Sequence, residues 1–417
     1  MHAKNDLHKS LDSRCLSFYL DAPEGRLHAS RKEFSMIYDL LIKGGTLVDP
    51  AQKVHAAKDV AFAHGVVAAV GDDLSGADAH EVLDAGGCLV TPGMIDLHVH
   101  VFYGVSHFGV EPDPTCLARG ATTVVDAGSA GADTFPGFRK FVIEVSATRI
   151  LAQLNISSQG MLTREIGEFE IPEYADVSKA CQMIEQHRDI ILGVKVRLTR
   201  NSIVSERSGM LPLHRAREAA DAAGLPIMVH PQSAWCDSLD DILKVMRGGD
   251  ILTHCFHGAA CGIMDEQGRI RRSVREAMDR GVVFDVGHGA GSFHWGVVEG
   301  AMAQGVQPQT ISSDLHVYNL HGPVYDLATV VTKFLHLGMP LDEAMAKVTS
   351  VPAQVIGMEG KIGTLAVGAW GDAVVFELRD GAFRLADAHG VVRIGKQKLV
   401  PVTVVRGGRV YRQGREN

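Results

Sequence analysis

A chain of 417 residues that is 46% hydrophobic and 22% charged is too long for one small core, and it has the profile of a folded globular enzyme, which excludes a disordered or fibrous protein. A net charge of −8 without any basic run speaks against a nucleic-acid partner, and no apolar run approaches the length of a bilayer span, so no membrane association is expected. Seven cysteines, odd in number and without a Cys-x-x-Cys pair, read as reduced thiols, and with no signal-type apolar segment near Met1 the expected compartment is the cytoplasm.

Residues 1–35 are polar and aperiodic and read as a poorly structured extension, with the ordered chain starting near Met36. From 36 to 90, short β-like runs alternate with turn signals such as Gly44-Gly45 and Gly86-Gly87. The same texture returns over 359–417, so both chain ends are expected to build one small β-sandwich. Between them, 91–358 alternates apolar strands with amphipathic helices, the pattern of a parallel α/β fold. Strands are expected at 94–101, 122–128, 149–157, 191–199, 225–231, 250–256, 281–288 and 309–315. Helices are expected at 176–188, 212–223, 239–247, 273–280, 295–304 and 324–337. Eight βα units in this length match a TIM-type (β/α)8 barrel, which typically takes about 250 residues.

The first barrel strand carries Pro92-Gly93-Met94-Ile95-Asp96-Leu97-His98-Val99-His100. Side chains alternate along a strand, so His98 and His100 share a face in chelating geometry. Alone, such a pair is as well explained by two satisfied core histidines. Barrel enzymes place their working residues at the carboxyl ends of strands, however, and reading those ends adds Lys195, His230, His254 and Asp314. Six metal-competent or amine side chains at one level of the barrel outweigh the bland reading of each.

This set resembles the amidohydrolase superfamily, in its binuclear, dihydroorotase-like and deacetylase-containing branch. The family pattern of Pro-Gly-x-Ile-Asp-x-His-x-His on strand 1, lysine on strand 4, histidines on strands 5 and 6 and aspartate on strand 8 is matched through Pro92–His100, Lys195, His230, His254 and Asp314. The resemblance implies two divalent metal ions, with zinc expected, and a carbon dioxide-derived carbamate on Lys195 bridging them. His98, His100 and Asp314 would hold one ion, and His230 and His254 the other. Desolvation favours the neutral, nucleophilic amine that such a modification requires. The implied reaction is hydrolysis of an amide or ester by a hydroxide bridging the metals, with Asp314 as the catalytic proton carrier.

The expected substrate is a small acylated, carboxylate-bearing molecule, with Arg197 and His288 as substrate contacts at the barrel mouth. Tyr103 and His107 are read as parts of a lid, Asp96 as orienting a ligand, and His257, His294, His316 and His321 as solvated or capping. Rivals are a cyclic-amide hydrolase of the dihydroorotase or hydantoinase type, a non-catalytic scaffold, and a mononuclear deaminase. Dihydroorotases usually place an arginine directly after His-x-His, where Val101-Phe102 stand here. A homo-oligomer is compatible with the sequence.

Overall fold

The computed structural model describes residues 37–412, so the expectation for 1–35 falls outside the described residues. Two sheets arise from the chain ends. One has the strand order Val66–Gly71, Asp59–Ala63, Tyr38–Lys43, Ala79–Asp84. The other runs Arg409–Val410, Val392–Arg406, Ala373–Ala386, Leu89–Pro92, Thr46–Asp49, Val54–Ala57. Leu89–Pro92 lies antiparallel to Ala373–Phe376, so the two ends of the chain meet within one sheet. They also share one apolar cluster, with Leu40, Ile42, Phe62 and Val90 on one side and Leu365, Val375 and Val405 on the other. The C-terminal β texture resolves into one strand of 15 residues, Val392–Arg406, in a long hairpin with Ala373–Ala386. Its far end leaves the small cluster: Leu385 and Leu399 join the large core, and Trp295 Nε1 donates to the Val391 carbonyl at 3.0 Å.

The middle of the chain forms a seven-stranded sheet: Met94–Val99, Ala121–Gly131, Arg149–Asn155, Ile191–Arg197, Ile227–His230, Ile251–Leu252 and Val283–Phe284, each parallel to the next. Ala121–Gly131 is buried along its whole length, as expected of a parallel strand covered on both faces. Helices Val177–Gln186, Leu211–Ala223, Leu239–Val245, Arg272–Asp279, Trp295–Ala303 and Leu327–His336 fall close to their predicted positions. Asp176, Ser238 and Asp326 cap three of them by accepting a first-turn N–H. Among the described residues no helix is long and apolar enough to cross a membrane.

The expected strand over 309–315 is not a regular one. It instead bridges both edges of the sheet, through Thr310 to Asp285 and through Leu315 to Val99. The sheet therefore curls until its first and last strands flank the same segment. The strands expected over 250–256 and 281–288 shrink to two residues each for a related reason. His254 (φ 60°), Gly287 (φ 47°) and Asp314 (φ 49°) adopt left-handed backbone that a ladder cannot continue through.

Candidate metal centre

The carboxyl ends of the strands open on a cavity of about 520 Å³, and its lining includes His98, His100, Lys195, His230, His254 and Asp314. His98 and His100 project together from the end of Met94–Val99, and their Nε2 atoms lie 3.3 and 3.2 Å from Asp314 Oδ1. Among the described residues these three form the group whose ligand atoms converge within 4.8 Å. The Asp314 N–H donates to the His98 carbonyl at 2.7 Å, and the carboxylate of Asp96 accepts both the backbone N–H and the hydroxyl of Ser313. Asp96 thus braces the residue before Asp314 and also accepts the backbone N–H of His98 at 3.3 Å, holding the backbone of both neighbours.

Hydrogen bonds on the far side of each ring fix its tautomer. Thr253 Oγ1 donates its proton to Asp285 at 2.8 Å and so accepts from His98 Nδ1, also at 2.8 Å. Ser129 Oγ, whose hydroxyl bonds Asp126, accepts from His100 Nδ1 at 2.9 Å. His254 Nδ1 donates to the Gly287 carbonyl, which can only accept, at 2.6 Å. Burial pushes His98 and His100 well below the usual imidazole range and His254 down to about 3, so all three stay neutral. The Nε2 lone pairs of His98 and His100 therefore face the Asp314 carboxylate, acceptor against acceptor. A cation between them resolves that conflict, and the donor set fits a divalent metal ion.

Beyond this trio the rings continue as a row: His98 to His254 is 4.9 Å between centroids and His254 to His230 is 4.3 Å. Lys195 is fully buried with Nζ 3.5 Å from His98 Nε2, and burial pushes its amine down to about 7. Among the described residues it has no ion-pair partner. Its neighbour Gly128 leaves it room, since a Cβ there would stand 2.6 Å from Lys195 Cβ. Gly289 does the same for Asp314, where a Cβ would stand 2.3 Å from Oδ2 at a left-handed φ of 55°. Gly289→Ala is expected to lower turnover at least about tenfold, because misplacing a catalytic group by about 1 Å can cost about 10²-fold. Unchanged kcat in a variant with normal metal content would remove Asp314 positioning from the account.

The two expected substrate residues separate. Arg197 lines the cavity and donates to Glu168 Oε1 at 2.6 Å, with its guanidinium 5.1 Å from the Phe108 ring. Glu168 is buried and also accepts from Asn155 Nδ2 at 3.3 Å; nothing in its local pattern singled it out, since it lies in the irregular segment after Arg149–Asn155. His288 does not face the cavity, which corrects its expected role. It is fully buried, its Nδ1 donates to the Gly289 carbonyl at 2.9 Å, and its Nε2 accepts from Lys333 at 2.6 Å. Glycines at positive φ on both sides turn this histidine away from where a regular strand would have put it. His257 and His316 are also buried rather than solvated, although each Nδ1 accepts the N–H two residues on, a local cap. His316 joins His107, Phe108 and Tyr318 in the cavity lining.

The chain is similar to several known proteins. A deacetylase of Enterococcus faecalis is 34% identical over 384 residues, covering 90% of this chain and 100% of that one. A deacetylase of Agrobacterium fabrum is 34% identical over 348 residues, covering 82% and 84%. Among solved structures, an adenine deaminase superposes with a TM-score of 0.82 at 33% identity over 90% of this chain and 99% of that one. A dihydroorotase superposes with a TM-score of 0.80 at 32% identity over 89% and 98%. The sequence profile of the Amidohydrolase family matches residues 89–411, which span the whole ligand set, and the chain belongs to that family of hydrolases acting on carbon–nitrogen bonds.

Proposed function

We propose that this protein is a binuclear metal-dependent hydrolase that cleaves the amide or ester bond of a small acylated, carboxylate-bearing compound, in the manner of a deacetylase. The observation that carries the reading is the row of four imidazoles beside Asp314 and the buried Lys195, all on one cavity that also exposes Arg197. In this reading residues 91–358 close as a TIM-type barrel through the 309–315 segment, flanked by a β-sandwich of 36–90 and 359–417. His98, His100 and Asp314 would hold one ion and His230 and His254 the other, with Lys195, carboxylated by carbon dioxide, as a further anionic ligand. Divalent ions bound there, with zinc suited to imidazole donors, supply Lewis acidity towards a carbonyl and towards water. Asp314 takes the proton released as water attacks the carbonyl and delivers it to the leaving nitrogen or oxygen.

Arg197 is the anchor for the carboxylate: Glu168 holds one arm of the guanidinium and leaves it preorganised on the cavity wall. Arg197→Met is expected to raise KM for carboxylate-bearing substrates about tenfold or more, and far more than for matched neutral esters. Equal damage to both would make Arg197 a support of the metal site. Cyclic-amide hydrolysis is the second reading, favoured by the dihydroorotase among the structural neighbours. Against it, the positions after His-x-His are walls: Val101 and Phe102 are buried in the core and offer no cation. A hydrolysis screen over acyl amides, esters and cyclic amides, with both enantiomers of chiral compounds, decides between them. Faster turnover of dihydroorotate or hydantoins than of every acyclic compound would overturn the proposal.

A further inference from the structure

Two guanidinium groups line the cavity: Arg197 on the wall and Arg164 at the mouth. Arg197 already spends one arm on Glu168. Arg164 is exposed, and among the described residues no acid is hydrogen-bonded to it; its guanidinium sits 5.8 Å from the centre of the Tyr318 ring. Rings connect the two arginines to the metal ligands. His100 stacks on Phe108 at 5.2 Å, and Phe108 meets Tyr318 edge-on at 5.6 Å. Arg197 lies over the first of these two rings and Arg164 over the second, so both guanidiniums flank one aromatic platform.

The segment bearing Arg164 is rooted at both ends. Met161 donates its N–H to Ser129 and accepts from His107, while Phe169 donates to Ile203 and its carbonyl accepts from Ser208 Oγ at 2.7 Å. Between these roots residues 163–166 are exposed, with the Ile166 N–H on Thr163 Oγ1 at 3.1 Å as an internal turn. Such a tip can adjust over a ligand without disturbing the metal ligands. Burial, then Arg197 and Arg164, push His107 down to about 4, against the opposing pull of Glu165. At neutral pH the mouth's positive potential thus comes from the two arginines.

We infer that Arg164 is a specificity-determining residue: with Arg197 it brackets the substrate's carboxylate against Phe108 and Tyr318, and so selects acids over their esters. This rests on the carboxylate-bearing substrate proposed above. The test uses the full-length, metal-loaded enzyme with the best N-acyl amino acid from the hydrolysis screen and its methyl ester. In Arg164→Met, KM for the acid should rise about tenfold with kcat within about twofold, as for an interaction made equally in ground and transition states. The ester should be unaffected, and Arg164→Lys should recover part of the loss. An unchanged acid-to-ester ratio in Arg164→Met, with the wild type preferring the acid, would overturn the role of Arg164 alone. A wild type that does not prefer the acid would overturn the carboxylate reading and this inference with it. Because Arg164 is exposed and, among the described residues, packs on the Tyr318 ring alone, its replacement should leave the melting temperature unchanged, which separates lost recognition from lost fold.

Discussion

Asp314→Asn is expected to keep most of its metal while turnover falls at least about 10²-fold, the lower end of what general acid–base catalysis contributes. Asparagine retains the size of aspartate and one ligand oxygen. It also keeps the backbone bond to His98 and the Asn319 Nδ2 bond to the residue's own carbonyl, at 2.7 Å each, so the left-handed turn at this position survives. What it loses is the ability to accept a proton beside His98 and His100. Metal content and kcat measured on the same preparation separate the two effects. Near-wild-type turnover would remove Asp314 from the proton-transfer role.

The second large effect is at Lys195. If Lys195 is carboxylated as proposed, Lys195→Ala should lose metal and activity together, because the remaining imidazoles and one carboxylate would have no anionic group between them. The side chain lies in a fully buried slot between Gly128, Met228 and His98, so alanine leaves a space into which a short carboxylic acid can enter. Added formate, acetate or propionate should therefore restore part of both properties. An unmodified amine, seen by crystallography in metal-loaded, active enzyme, would rule out the carbamate while leaving the rest of the ligand set standing.

Much of the 91–358 segment was legible because its signals are periodic. Strands such as Ile191–Arg197 and helices such as Leu211–Ala223 fall within a few residues of where apolar spacing puts them. The convergence of His98 and His100 on Asp314 followed from the same logic, since period two decides that the two histidines share a face. Legibility failed where the backbone stops being regular. Reading 281–288 as one strand put His288 at the mouth, whereas Gly287 and Gly289 at positive φ turn it into the core against Lys333. Glu168 and Arg164 escaped notice because they lie in a long irregular segment whose placement depends on distant partners such as Ile203 and Ser208. His316 reads as a loop residue by position, and it is buried because Asn319 accepts its N–H and folds the turn back onto Asp314.

The proposed function needs two ions in one site. Elemental analysis of the purified protein, with the hydrolysis rate followed as metal is removed by chelation and restored, tests it most directly. About two divalent ions per chain are expected, with activity lost and regained in step with them. One ion per chain at full activity would point to mononuclear deaminase-type chemistry, and activity with no bound metal would rule out metal-dependent hydrolysis.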